Sequence, residues 1–117
     1  MKVTVQHFDG YNAVRVSGAP GLDEFMDLIR HIAEESRAWP QRLLLVDLRE
    51  VTSIRTFTEQ FSIGEEAGRR LKHLRRIASV VPEDRITRTS EKAARHTGVE
   101  LRVFTSEAEA VQWLLSP

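Results

Sequence analysis

Positions 42–48 read Arg-Leu-Leu-Leu-Val-Asp-Leu, and this short run limits the fold more than any other part of the chain. Side chains of an extended segment point alternately to opposite faces. Apolar residues at consecutive positions make both faces apolar, which marks a central, buried strand of an α/β sheet. The unbroken aliphatic part covers only positions 43–46, far short of the roughly 20 residues that span a bilayer. The opening Met1-Lys2-Val3-Thr4-Val5-Gln6 has no apolar core of the kind a secretory leader carries. A cytoplasmic location is the default expectation.

The other segments arrange themselves around that strand. Lys2, Thr4 and Gln6 alternate with Val3, Val5 and His7, and Val14 and Val16 flank Arg15. These period-two patterns predict two strands, and Asp9-Gly10 between them predicts an antiparallel hairpin. Gly18-Ala19-Pro20-Gly21 is punctuation. Leu22, Phe25, Met26, Ile29, Ile32 and Ala33 then recur at helical spacing. Asp23 and Glu24 stand in the first turn, where the helix dipole favours anions. A second helix is predicted from Thr56, which makes a capping-box pattern with Glu59. Its apolar stripe is Phe57, Phe61, Gly64, Gly68 and Leu71. The two glycines are expected to let the helix lie close on the sheet, at about 1 kcal/mol each relative to alanine. A strand follows at 76–81, closed by Pro82, and a short helix at 89–96 stops at Gly98. Val99, Leu101 and Val103 alternate with Glu100 and Arg102 in a last strand. Ser106 and Glu109 cap a last helix striped by Ala110, Val111, Leu114 and Leu115.

The order ββαβαβαβα predicts a mixed five-stranded sheet with four helices, in a single domain over residues 1–117. Laying each strand beside the one before it, with right-handed crossovers, puts the helices on one face. The first, second and last strands each show one apolar and one polar face, which agrees with cover mainly from one side. An uncovered sheet face leaves room for a homodimer.

Composition removes several kinds of chemistry. With no cysteine there is no disulfide, zinc ribbon, iron–sulfur cluster or thiol catalysis. Lys and Arg total 17 against 17 Asp and Glu, so no net field draws the chain to nucleic acid or acidic lipid. His7, His31, His73 and His96 are far apart and imply no metal. No Gly-x-Ser-x-Gly elbow frames a serine. Gly18 and Gly21 meet neither the dinucleotide nor the P-loop spacing, and no other cofactor is implied.

Several residues together resemble a known family. A hairpin leads to Ser17-Gly18 and a helix opening Leu22-Asp23. The apolar strand ends Asp47-Leu48 and is followed by Val51, Ile54 and a helix. The strand Arg76-Ile77-Ala78-Ser79-Val80-Val81 and the tail Val103-Phe104-Thr105-Ser106-Glu107-Ala108-Glu109-Ala110-Val111-Gln112-Trp113-Leu114 complete the likeness. The chain is similar to STAS domains, the sulphate-transporter and anti-sigma-factor-antagonist fold, and closest to their SpoIIAA-like branch, which is grouped with the Sec14 lipid-binding fold. In the antagonists an Asp-Ser-Ser-Gly loop carries a serine phosphorylated by a partner kinase. Arg55-Thr56-Phe57-Thr58 stands there instead, and Phe57 at the phosphoacceptor position takes no phosphate. Thr56 is expected to be an N-cap. Thr56 or Thr58 is the candidate for a displaced acceptor.

The resemblance implies a non-enzymatic regulatory or binding module. Open α/β sheets bind at the C-terminal ends of their strands, here the loops 49–58, 82–88 and Thr105-Ser106. Asp47, Arg55, Thr56, Phe57 and Thr58 are the candidate contacts for a partner protein or a small apolar ligand. Arg55 supplies charge and Phe57 an apolar contact. Asp47 ends the buried strand, but the acidic pair and lysine of a phosphate-accepting receiver are missing, so bracing the next loop is its first expected role. Arg69, Arg70, Lys72, Arg75 and Arg76 form a basic run at a helix C-terminus, facing Glu65 and Glu66 one turn earlier. It is a candidate docking patch for an acidic partner or lipid headgroup. A tryptophan, Trp39 or Trp113, with Phe57 is a candidate lining for a small apolar pocket. The alternative, a lipid-binding protein resembling the Sec14 fold, requires a pocket of several hundred Å³. An enzyme requires clustered ionisable residues with shifted pKa, and the linear sequence shows no such cluster.

Overall fold

The computed structural model describes residues 1–85 and 89–117. The chain runs β1 (Lys2–His7), β2 (Asn12–Gly18), α1 (Leu22–Glu35), β3 (Leu43–Val51), α2 (Phe57–Arg70), β4 (Arg76–Val80), α3 (Thr89–Thr97), β5 (Leu101–Phe104) and α4 (Glu107–Leu114), with short 3-10 turns at Ser36–Ala38 and Glu83–Arg85. Sheet order follows chain order, β1-β2-β3-β4-β5. β1 and β2 are antiparallel, and the remaining neighbours are parallel. This is the mixed α/β architecture that the hydrophobic periodicity predicts.

β3 runs past Leu48 to Val51 and carries a bulge. Arg15 pairs with Asp47, whereas Ser17 pairs with Glu50. The extra residue returns Val51 to the apolar face, where it is buried. The core on that face joins Val14, Val16, Leu44, Ile77, Leu101 and Val103 to Phe25, Ile29 and Ile32 of α1.

The helices are not all on one face. α1, α2 and α3 each connect parallel neighbours, and right-handed crossovers place the three together. α4 follows the last strand and closes no crossover, so that rule does not bind it. It packs on the opposite face, where Ala110 and Leu114 meet Ala13, Leu45, Ala78 and Val80. β3 and β4 are apolar on both faces, and without α4 those side chains would meet water. The cover is therefore mainly, not wholly, one-sided. The open face that left room for a second copy is closed at its centre. Lys2, Thr4 and Gln6 of β1 lie exposed at its edge.

The stripe on α2 is also turned from its expected position. Phe57 and Phe61 face solvent, and the helix buries Gly64, Glu66, Ala67 and Gly68. Gly68 meets α3 rather than the sheet. A Cβ there would overlap Thr97 Oγ1 and lie 2.7 Å from Thr97 Cβ and 2.9 Å from the Ala94 carbonyl oxygen. α3 stops where Gly98 takes φ +111°. Both Gly98 N–H and Val99 N–H then reach Ala94 O at 3.0 Å. Glu66 ties α2 to α1, accepting from Arg30 Nε at 3.1 Å and from Arg70 Nε at 3.3 Å.

Candidate functional site

The loop from β3 to α2 turns sharply before the helix begins. Ile54 has φ +62°, a left-handed conformation that strains a β-branched residue by roughly 1–2 kcal/mol. Its side chain is packed against the core, and that burial offsets the strain. Thr56 then caps α2: its hydroxyl accepts from Glu59 N–H at 3.2 Å, and the Glu59 carboxylate accepts from Thr56 N–H at 3.2 Å. The first turn carries Phe57, 70% exposed, stacked on Phe61 with ring centroids 6.2 Å apart. Thr58 is exposed beside them. Among the described residues Arg55 reaches only Asp84, at 3.8 Å and in solvent, a pairing worth about 0–1 kcal/mol. Arg55, Phe57, Thr58 and Phe61 thus form one exposed corner. Of the second expected loop, 82–88, positions 86–88 lie outside the described residues.

Beneath α2 lies an apolar cavity of about 110 Å³. Ile29 and Ile32 of α1, Val46 of β3, Ile63 and Ala67 of α2 and Ser79 of β4 line it. Ile54, Gln60, Val81 and Pro82 also line it and are half-buried, so this end meets the surface near the strand C-termini. Phe57, Trp39 and Trp113 take no part in it. Trp39 packs edge-on against His7, centroids 5.5 Å apart. Trp113 lies on the α4 face beside Phe104, under Arg76 and Arg102 at 5.3 and 5.6 Å.

Asp47 is on the other side of the sheet from the Phe57 corner. Its Oδ2 accepts from Arg15 at 2.8 Å and from Arg49 at 2.9 Å, and its Oδ1 accepts from Arg49 N–H at 3.1 Å. Glu107, at the start of α4, accepts from the same two arginines at 2.8 and 2.7 Å. Four ionisable residues from three separate stretches of the sequence therefore converge. Burial pushes the Asp47 carboxyl up, but the Arg49 and Arg15 hydrogen bonds outweigh it and hold it below the usual carboxylate range. The Arg15 hydrogen bond likewise holds Glu107 low, and the carboxylates raise both guanidinium values. Each shift favours the charged form. The quartet ties β2, β3 and α4 together.

The sign of the resulting pH dependence follows from linkage. A carboxyl lowered in the folded state contributes stability above its unfolded value and loses it as pH falls. Stability is expected to drop between about pH 5 and 3. In Arg15→Met the same acid limb should be shallower, as measured by urea unfolding across that range. Parallel limbs would show that the quartet does not couple to folding.

The basic run is not one surface. Arg69 and Arg70 are exposed but face Glu66, at 3.5 and 3.3 Å. Lys72 and Arg75 are exposed nearby. Arg76 turns to the opposite side and donates to Trp113 O and Ser116 O, both at 2.8 Å.

A profile of SpoIIAA-like proteins matches residues 12–115, nearly the whole chain. The chain belongs to the SpoIIAA-like family. Two solved structures share the SpoIIAA-like architecture. An anti-sigma factor antagonist from Mycobacterium paratuberculosis aligns with TM-score 0.63 and 15% identity, covering 98% of this chain and 94% of that one. A protein with a SpoIIAA-like fold from Shewanella loihica aligns with TM-score 0.62 and 18% identity, covering 97% and 92%. At these identities the likeness is one of fold. No curated protein matches the chain.

Arg15, Arg49 and Glu107 escape a linear reading, since nothing local announces a quartet. The parallel register of β2 and β3, with Arg15 opposite Asp47, is what brings the first pair together. Ser79 carried a usable signal, being the one polar residue in the apolar run 77–81.

Proposed function

We infer that this chain is a non-enzymatic SpoIIAA-like regulatory module that docks a partner protein through the corner of Arg55, Phe57, Thr58 and Phe61. The exposed, stacked Phe57–Phe61 pair carries this reading. Aromatic side chains are enriched at the energetic centres of interfaces, and charged rims steer the approach. Here Arg55 supplies a rim cation. Phenylalanine in place of a phosphoacceptor favours docking that phosphate does not gate. The Mycobacterium paratuberculosis neighbour is named for antagonism of an anti-sigma factor, and this supports a protein as the partner. Among the described residues no helix is long and apolar enough to cross a membrane.

The test is affinity capture from native cell extract with the wild type and with Phe57→Ser/Phe61→Ser. Loss of two central aromatics is expected to weaken capture at least about 30-fold. The exposed sites should shift stability by only about 0.5 kcal/mol each. Undiminished capture by the double variant and by Arg55→Glu would remove the reading.

A second reading, a site for a small apolar ligand, is supported by the cavity beneath α2. At about 110 Å³ it is well short of the several hundred Å³ that suits a lipid.

A further inference from the structure

Ser79 sits between Ile77 and Val81 on the cavity face of β4 and is only 9% exposed. Among the described residues its hydroxyl has no hydrogen-bond partner, and buried polar groups are as a rule paired. The other polar side chains of the lining differ from it. Ser53 Oγ donates to Pro20 O at 2.6 Å, and Gln60 is half-buried at the outer end. No Asp, Glu, Lys, Arg or His is among the described lining residues.

We propose that the Ser79 hydroxyl is the polar anchor of a binding site for a small neutral molecule, an aromatic ring or short aliphatic body carrying one hydrogen-bonding oxygen. The proposal rests on the small-ligand reading above and gives it a chemical class. Three observations set that class. An apolar cavity of about 150 Å³ accepts benzene, so a space of about 110 Å³ suits roughly one ring with slight give of its walls. An ionised ligand would lose its hydration with no opposite charge to meet it. The unpartnered hydroxyl, deep among aliphatic walls, pairs with a single oxygen and orients the ring with that oxygen toward β4. Entry is past Ile54 and Gln60, where the wall meets solvent.

Phenol and benzene are the probes, titrated by calorimetry into wild type, Ser79→Ala and Ala67→Leu, each variant first shown to be folded by its thermal transition. Phenol is expected to bind wild type and to weaken about five- to tenfold in Ser79→Ala, the worth of one hydrogen bond. Benzene should bind both with equal strength or prefer the variant. Ala67→Leu fills the space and should abolish binding of either probe. Equal effects of Ser79→Ala on the two probes would overturn the role of Ser79 and leave the apolar pocket standing. Failure of wild type to bind either probe would overturn both, as would undiminished phenol binding to Ala67→Leu.

Discussion

Gly68→Ala is expected to destabilise the protein by about 2–3 kcal/mol, although the same change in a free helix would stabilise it by about 1 kcal/mol. The sign reverses because of α3. An added methyl would overlap Thr97 Oγ1 and lie 2.9 Å from the Ala94 backbone carbonyl oxygen. The threonine side chain can rotate, but the carbonyl belongs to the α3 backbone and moves only if α3 moves. Thermal unfolding should show a drop on the order of 10 °C for a chain of this size. Gly21→Ala is the control. Its φ is −71°, and the nearest atom to an added Cβ is Glu24 Oε1 at 3.9 Å, so its transition should barely move. A stabilised Gly68→Ala would mean that α3 does not pack on α2 at this point.

Leu45→Ala is expected to cost about 3–4 kcal/mol. Leu45 is on the second face of β3, fully buried, with Leu114 and Ala110 of α4 over it. Its neighbours there include Ala13 and Ala78, too small to close the cavity left behind. Chemical denaturation gives the number directly. Were the sheet covered from one side only, the leucine would stand in water and its truncation would be close to neutral. A loss under about 1 kcal/mol would therefore place α4 off the sheet.

How much of this was legible in the sequence differs from element to element. β3 was plain because consecutive leucines admit no amphipathic alternative. α1 was plain because six apolar residues keep helical spacing, and α2 because Thr56 and Glu59 satisfy each other's backbone groups. α4 was legible as a helix but not in its placement. The handedness of crossovers orders helices between strands and says nothing of one after the last strand. Gly68 announced a close approach without saying to what. A glycine is permissive toward any neighbour, and here the neighbour is α3. The Phe57 corner followed from the family resemblance, while its exposure depended on the rotation of α2, which α3 sets. The cavity left one trace, Ser79 as the single polar residue in the apolar run 77–81, and nothing that announced its size. It arises from the spacing of α1 and α2 over the sheet, a property of backbones rather than of any residue in its wall.

Apolar contact holds both sides of the sheet, and one side adds polar ties. Three helices adhere to one side by aliphatic contact. α4 adheres through Ala110 and Leu114 and is also fastened at its ends, by Glu107 to Arg15 and Arg49 and by Arg76 to the last carbonyls. Cooling weakens the first kind of adhesion, and added electrolyte weakens the second where it is exposed. A change of ionic strength thus acts mainly at the two ends of the carboxy-terminal helix, whereas a fall in temperature acts on the aliphatic contacts of both sides.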